Sequence, residues 1–220
     1  MRWLLATSTK EQDLIGAVGG YSALSYAASL RGNEGFLLDL FGLRQHILKG
    51  KFDVNDPHVV APLLGRLKGE DGERYHMLLM ASETSSGLKI REWLERLVAL
   101  RERQGRYHGP AFCNDNGEVV RMTDYEEVFY EILHDIQDQR PDLIGPEVDV
   151  EQVYGFYRSF RRGATTRAIE VGVSVPDIDL INRWRKVERA GGMQPSMAMR
   201  DRYTEVVQLK TSWLRFSKPL

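Results

Sequence analysis

The hydrophobic residues of this chain recur mostly with the spacing of helices. Between residues 85 and 104, apolar side chains return every three or four positions among charged ones, which is typical of an amphipathic helix. A second helix is predicted over residues 10–30, where small residues permit close packing. A third is predicted over 123–139, opened by a capping box of Thr123 and Glu126. Three long helices are therefore expected in the first two thirds of the chain.

Two apolar stretches predict a β-hairpin. Residues 59–67 and 75–81 have the length and composition of strands, and an Asp-Gly pair at 71–72 is a turn signal. Lys68 would then stand at the start of the hairpin tip. The apolar run 35–42 fits either a buried strand or a short helix, because periodicity alone does not separate the two in so short a run.

The last third of the sequence predicts short helices. They cover residues 150–160, 163–171, 176–189 and 199–216. A glycine- and proline-containing break at 191–195 separates the last two. The predicted fold class is therefore α+β and predominantly helical, with a small antiparallel sheet formed by the hairpin near residues 59–81.

Composition narrows the class of protein. The chain has 220 residues, of which 42% are hydrophobic, enough for one core and one domain with at most a short appendage. No apolar run is long enough to span a bilayer, so no membrane association is expected. The single Cys113 excludes an internal disulfide and predicts a reducing, intracellular compartment. The five histidines lack ligand-like spacing, and no metal site is predicted.

Positive charge is concentrated in one region. Residues 156–189 contain eight Lys or Arg against four acids, a local charge of +4, whereas the whole chain carries −1, which leaves −5 for the remainder. Such a concentration predicts a phosphate-bearing partner held at one place. Within it, Arg161 precedes the helix predicted to begin near Gly163, whose free N–H groups would favour an anion.

The chain contains the groups needed to cut a phosphodiester without a metal. Charge develops on the nonbridging oxygens, which the forked donors of Arg31 and Arg161 are suited to bind. Trp184 offers an indole N–H donor, Lys68 a proton for the leaving oxygen, and Tyr203 a nucleophile. These five side chains are expected to converge on one phosphate.

Three segments carry a resemblance to a known family. They read Ala28-Ser-Leu-Arg31-Gly-Asn-Glu34, Arg66-Leu-Lys68-Gly-Glu-Asp-Gly-Glu-Arg74 and Arg158-Ser-Phe-Arg161-Arg162-Gly163-Ala-Thr-Thr. Trp184 follows the third segment at the spacing that the family uses for its His or Trp, and Tyr203 comes after it. In this order the elements resemble the catalytic domain of the tyrosine recombinases, the phage-integrase family, over nearly the entire chain.

The resemblance implies a domain organisation. Residues 1–205 would form a tyrosine recombinase catalytic domain that lacks the family's N-terminal DNA-clamping domain. Residues 206–220 would form a C-terminal tail, which in this family often docks on a neighbouring protomer as an exchange helix.

The resemblance also implies an activity and a set of site residues. Tyr203 would attack a DNA phosphate to form a 3′-phosphotyrosyl link, with no cofactor and no ATP, as in the site-specific recombinases, integrases and transposases of mobile elements. The implied catalytic residues are Arg31, Lys68, Arg158, Arg161, Trp184 and Tyr203. Glu34 would orient its neighbours. The implied DNA contacts are Arg74, Arg162, Arg167, Arg183 and Arg185. The expected partners are double-stranded DNA and further copies of the chain, from dimer to tetramer on DNA, and the expected location is intracellular and DNA-associated.

The sequence departs from the family pattern at two places within the site. Arg158 stands where the family most often has His or Lys, and an arginine does not exchange a proton near neutral pH. The gap from Trp184 to Tyr203 is longer than in the family, so the tyrosine is either mobile or delivered to a neighbouring subunit.

Two other functions fit parts of the sequence. Residues 163–171, a turn at 172–174 and residues 176–189 could form a helix-turn-helix, which would make the chain a noncatalytic DNA-binding protein with a decayed recombinase site. A type IB-like topoisomerase would use the same chemistry with one subunit per cut. Lys68 and Arg31 discriminate between enzyme and reader, because a reader helix needs neither.

Overall fold

The fold is mixed α+β, with several helices and one small antiparallel sheet. The structure is a computed structural model that describes residues 9–48, 58–67, 72–156, 158–182 and 214–220. Its helices are α1 (Thr9–Ala27), α2 (Leu40–Leu48), α3 (Ile90–Arg103), α4 (Met122–Gln139), α5 (Val150–Val153), α6 (Ser159–Glu170) and α7 (Val175–Ile181). The strands are β1 (His58–Gly65) and β2 (Arg74–Ala81). The predicted class, α+β with a hairpin sheet, is confirmed.

Helix α1 runs through the middle of the molecule. Every residue from 17 to 25 is buried, so the helix has no solvent-facing stripe along this stretch. The ring of Tyr21 lies against five other aromatic rings. Their centroids are 4.6 Å (Phe36), 5.0 Å (Phe156), 5.5 Å (Phe112), 6.0 Å (Tyr125) and 6.2 Å (Phe160) away. This aromatic cluster joins the elements before and after the sheet to one core.

The close packing predicted for α1 is present where it meets α3. A Cβ placed on Gly19 would lie 2.3 Å from Cζ3 of Trp93, which is inside van der Waals contact. The missing side chain therefore lets the Trp93 ring of α3 lie directly on the α1 backbone.

The two strands pair antiparallel over their full length. The register runs from His58 opposite Ala81 to Gly65 opposite Arg74. This confirms the predicted hairpin, with each strand beginning one residue earlier than the hydrophobic pattern indicates.

The ambiguous run 35–42 contains pieces of both predicted alternatives. A 3-10 turn over Glu34–Leu37 is followed by Leu38, which bridges to Leu63 of β1. Asp39 then caps α2, because its Oδ2 accepts the N–H of Gly42 at 2.8 Å. The segment leaves the strand edge and enters a helix within two residues.

Helix α3 begins at Ile90, so the prediction that it starts at 85 is wrong. The preceding residues form a turn in which Oγ1 of Thr84 accepts the N–H of Leu88 at 3.0 Å. Gly87 takes a left-handed conformation there, with φ of +84°. The threonine competes for the backbone N–H that a helix would use.

Helix α4 begins at Met122, and the predicted capping box of Thr123 and Glu126 is wrong. The residue before the helix is the extended Arg121, and no side chain caps this end. Met122 is buried, so the helix starts one residue early and places this side chain in the core. Hydrophobic burial decides the boundary here in place of a polar cap.

A helix predicted over 150–160 is interrupted. Helix α5 ends at Val153, and the chain turns before α6 begins at Ser159. Between them Phe156 is fully buried, with its ring stacked on Tyr21 at 5.0 Å. Inserting this ring into the aromatic cluster breaks the helix, which a local pattern does not reveal.

The C-terminal residues pack against their own chain. Residues 214–217 form a helical turn, and Phe216 and Leu220 are fully buried in the main core. The hydroxyl of Ser217 accepts the N–H of Ala81 at 2.9 Å, which joins the turn to β2. The exchange of residues 206–220 with a neighbouring protomer stays a prediction.

Candidate functional site

Helix α6 carries three of the predicted arginines near its N-terminus. Arg158 is the N-cap residue, Arg161 lies in the first turn, and Arg162 follows it. Arg158 and Arg162 are exposed, whereas Arg161 is half-buried. The helix begins at Ser159, so Gly163 lies in its second turn, inside the helical hydrogen-bond ladder. The prediction of free N–H groups at Gly163 is therefore wrong.

Small residues bring α6 close to α1. Ala164 and Ala168, one turn apart, are both fully buried. A Cβ on Gly163 would lie 3.7 Å from Cε2 of Tyr26, in ordinary contact. Because Gly163, Ala164 and Ala168 have small side chains or none, the α6 backbone lies close to the C-terminal end of α1. This approach brings Arg161 to the loop that contains Arg31.

The end of α1 is a Schellman turn with an unusual residue. The N–H of Leu30 donates to the carbonyl of Ser25 at 2.9 Å, and the N–H of Ser29 to that of Tyr26 at 3.1 Å. Ser29 therefore takes the left-handed position, with φ of 49°, which glycine usually fills. It is fully buried.

Arg161 binds this turn directly. Its Nη1 donates to the carbonyl oxygen of Ser29 at 3.0 Å, and its Nη2 donates to the carbonyl oxygen of Asn182 at the end of α7. Ser29 stands two residues before Arg31. The two predicted phosphate-binding arginines are far apart in sequence, yet they are attached to one loop.

Glu34 holds the other arginine. Its Oε2 accepts the N–H of Arg31 at 2.8 Å, and its Oε1 lies 3.4 Å from Nη1 of the same residue. The Glu34 side chain is 7% exposed and that of Arg31 29%. The buried carboxylate thus fixes the backbone at Arg31, while the guanidinium reaches solvent. Tyr21 also holds this loop, because its hydroxyl donates to the carbonyl of Gly32.

A buried polar network links the loop to α6 and α7. The Ser29 hydroxyl donates to Oδ1 of Asn182 at 2.8 Å, and Nδ2 of Asn182 donates to Oγ1 of Thr165 at 3.1 Å and to the Ile178 carbonyl at 3.0 Å. Asn182 is fully buried. The sequence analysis missed Ser29, Thr165 and Asn182. Their nearest signal was position, since each lies within four residues of a predicted catalytic arginine or tryptophan.

Helix α6 ends in the same Schellman turn as α1. The N–H of Val173 donates to the carbonyl of Ala168 at 2.9 Å, and the N–H of Gly172 to that of Ile169 at 3.1 Å. Gly172 takes the left-handed position with φ of +77°, is exposed, and has nothing within 4 Å of where a Cβ would stand. This is the ordinary solution to a helix end.

Ser174 then caps the N-terminus of helix α7. The hydroxyl of Ser174 accepts the N–H of Asp177 at 3.3 Å and donates to its Oδ2 at 2.6 Å. Two helices joined by a short turn at 171–174 are therefore present. The first begins four residues before the predicted 163, and residues 183–189 of the predicted second helix lie outside the described residues.

Two further arginines that were predicted to contact DNA are described, Arg167 on α6 and Arg74 on β2. Arg167 forms an exposed ion pair with Glu170 at 3.4 Å. Burial is the main cause that raises the pKa of Tyr26. The charge of Arg167 lowers this pKa, and the charge of Glu170 raises it. Arg74 is exposed at the start of β2, opposite Gly65. It stands at the tip end of the hairpin.

Five predicted site residues lie outside the described residues. They are Lys68, Arg183, Trp184, Arg185 and Tyr203. Their predicted roles stay predictions. Asn182, which directly precedes three of them in sequence, is described, and its carbonyl accepts a hydrogen bond from Nη2 of Arg161.

The described ranges contain neither a candidate metal centre nor a candidate membrane span. No group of three or more His, Cys, Asp or Glu side chains there is arranged to hold a metal ion. None of the helices in those ranges is both long enough and apolar enough to cross a membrane.

Comparison with known proteins gave no similarity. No protein-family model, no curated protein and no solved structure matches the chain. A function is therefore inferred from the geometry around Arg31 and Arg161.

Proposed function

We propose that the chain is a DNA strand-transfer enzyme with a tyrosine recombinase catalytic-domain fold. The observation that carries the proposal is the contact between Arg161 and the carbonyl of Ser29, two residues before Arg31. The order of the motifs predicts that these two arginines act on one phosphate, and the Arg161 guanidinium is hydrogen-bonded to the loop that contains Arg31. Nη1 and Nη2 of Arg161 each carry a second N–H beside the one donated to a backbone carbonyl, and we propose that these and the Arg31 guanidinium donate to the nonbridging oxygens of a phosphodiester.

The proposed reaction exchanges one phosphoester for another. The oxygen of Tyr203 attacks the DNA phosphorus, a P–O bond to tyrosine forms, and the bond to the 5′ oxygen breaks. The tyrosine proton is lost to solvent or a neighbouring base, and Lys68 protonates the departing oxygen to give a 5′-hydroxyl. Arg31, Arg161 and Trp184 stabilise the negative charge that develops on the phosphate oxygens. Attack by another 5′-hydroxyl reverses the step and joins new strands.

Exposed arginines next to this loop support binding to the duplex backbone. Arg158 and Arg162 are one turn apart on α6 and both are exposed, and Arg161 lies between them. Their charges would bind DNA phosphates in a salt-dependent way that carries no sequence information. Recombination of two sites would bring two to four protomers together on DNA.

The experiment uses a pool of nicked DNA duplexes with randomised flanking sequence. A nick beside the cleaved phosphate lets the short strand leave, so the covalent protein–DNA adduct accumulates. Adducts that survive denaturation are separated by electrophoresis, and their DNA is sequenced. The proposal predicts an adduct with the wild-type chain. Tyr203→Phe should bind the same duplexes with unchanged affinity and give no adduct.

An adduct that persists in Tyr203→Phe would show that another residue is the nucleophile. A wild-type chain that binds the pool but forms no adduct would overturn the enzyme proposal. Lys68→Ala adds a second readout, since it should slow adduct formation by about 100-fold without weakening binding.

The α6–turn–α7 unit favours a second candidate, a noncatalytic DNA reader. In that case residues of α7 and those following it would contact the major groove, and Lys68→Ala would have no effect on any DNA readout. A topoisomerase would instead relax supercoiled plasmid as a monomer without joining two DNA sites.

A further inference from the structure

The buried amide of Asn182 lies at the centre of a hydrogen-bond network between three elements. It accepts from Ser29 in the loop after α1 and donates to Thr165 of α6 and to the Ile178 carbonyl of α7. Thr165 Oγ1 also lies 3.3 Å from Oδ1 of the same amide. Both the donor and the acceptor end of the side chain are therefore satisfied inside the protein.

Two branches of this network end at residues that lie close in sequence to the two arginines of the proposed phosphate site. Ser29 precedes Arg31 by two residues, and Thr165 follows Arg161 by one helical turn on α6. The carbonyl of Asn182 accepts from Nη2 of Arg161, and its own chain continues to Trp184. The Asn182 side chain thus links the loop that contains Arg31 to the helix that carries Arg161.

The residues used here are not those that packing alone requires. A glycine at position 29 would form the left-handed turn without strain, as Gly172 does at the end of α6. A buried amide must be fully hydrogen-bonded to avoid a penalty, whereas an apolar residue has no such requirement. Ser29 and Asn182 form a directional hydrogen bond, whereas two apolar side chains at these positions would make contacts that tolerate small shifts.

We propose that Asn182, through Ser29 and Thr165, is a positioning residue that preforms the arginine pair before DNA binds. The inference rests on the proposed strand-transfer function and deepens it. In the absence of this network, Arg31 and Arg161 would still bind DNA phosphates, but their donors would reach the reacting phosphate in the right arrangement only part of the time.

The test separates binding from cleavage in folded variants. Ser29→Gly removes the hydroxyl and relieves the backbone, and Ser29→Ala removes the hydroxyl but keeps the left-handed strain. Thr165→Val removes the other hydroxyl, with Thr166→Val, an exposed neighbour on the same helix, as the matched control. For each variant the melting temperature, the affinity for the nicked duplex pool and the single-turnover rate of adduct formation are measured.

We expect Ser29→Gly, Ser29→Ala and Thr165→Val each to slow adduct formation by about tenfold while DNA affinity stays unchanged. Thr166→Val should leave the rate unchanged. The agreement of Gly and Ala at position 29 would assign the effect to the lost hydroxyl, because only one of them changes the backbone strain. Asn182→Ala should lose about 100-fold, and if it does not fold, the other three variants decide.

Two results are distinguishable failures. If the wild-type chain forms a Tyr203-dependent adduct and the folded Ser29 and Thr165 variants cleave at its rate, the positioning role is overturned and the proposed function stands. If the wild-type chain forms no adduct at all, the proposed function fails and this inference fails with it.

Discussion

The C-terminal ends of α1 and α6 form the same backbone turn with different residues at the left-handed position. The turn after α6 uses Gly172, which is exposed and has open space around it. The turn after α1 uses Ser29, which is buried and hydrogen-bonded to Asn182 at 2.8 Å. A left-handed conformation costs a non-glycine residue about 1 kcal/mol.

The difference shows what the fold gains at each end. At Gly172 the turn only has to stop a helix, and glycine does so without strain. At Ser29 the side chain makes a bond between elements 153 positions apart in sequence, and a glycine would leave Asn182 without that donor. Strain at a non-glycine residue is common at functional sites, where the surrounding structure holds it in place.

The largest effect on stability is expected from Asn182→Ala. It removes the amide that satisfies the Ser29 and Thr165 hydroxyls and leaves a cavity, so the free energy of unfolding should fall by about 2–3 kcal/mol. Urea denaturation measures this change. A loss of less than about 0.5 kcal/mol would mean that water replaces the amide without penalty.

Ser29→Ala is expected to have the next largest effect. The alanine keeps the strained φ but cannot donate to Oδ1 of Asn182, so about 1–1.5 kcal/mol of stability should be lost. Equal stability of this variant and the wild type would show that the 2.8 Å bond contributes nothing.

Gly172→Ala places a non-glycine residue at the left-handed position of the turn after α6. The new side chain has room, but φ of +77° disfavours it, so we expect a loss of about 1 kcal/mol with no effect on any DNA readout. A stabilised Gly172→Ala variant would show that this turn adopts another conformation in solution.

Ser29→Gly should have the smallest effect on stability. Relief of the left-handed strain and loss of the hydroxyl bond are of similar size, so the free energy of unfolding should stay within about 0.5 kcal/mol of the wild type. A clear stabilisation would mean that the hydroxyl bond is weak, and a clear loss that it dominates the turn.

The sequence predicted the elements better than their ends. The hairpin and the amphipathic α3 follow from hydrophobic spacing, because burial of one face or one stripe leaves a local pattern. The start of α6 was missed, since the break before it depends on Phe156 reaching Tyr21 across the core. A ring contact between distant segments leaves no trace in local spacing.

The candidate site divides in the same way. Arg31 and Arg161 were found from motif order, and their attachment to one loop is a tertiary fact that the motif does not contain. Ser29 and Asn182 were missed, because neither residue belongs to a motif that identifies its partner. Their pairing depends on a contact between residues 153 positions apart in the sequence.

The central claim is that Arg31 and Arg161 act on one phosphate. A crystal structure of the Tyr203→Phe variant bound to a nicked duplex selected from the randomised pool tests it most directly. The account predicts that both guanidinium groups donate to nonbridging oxygens of the same phosphate, with the aromatic ring at position 203 facing its phosphorus. Arginines bound to two different phosphates, or a duplex held only by the α6–turn–α7 unit, would contradict it.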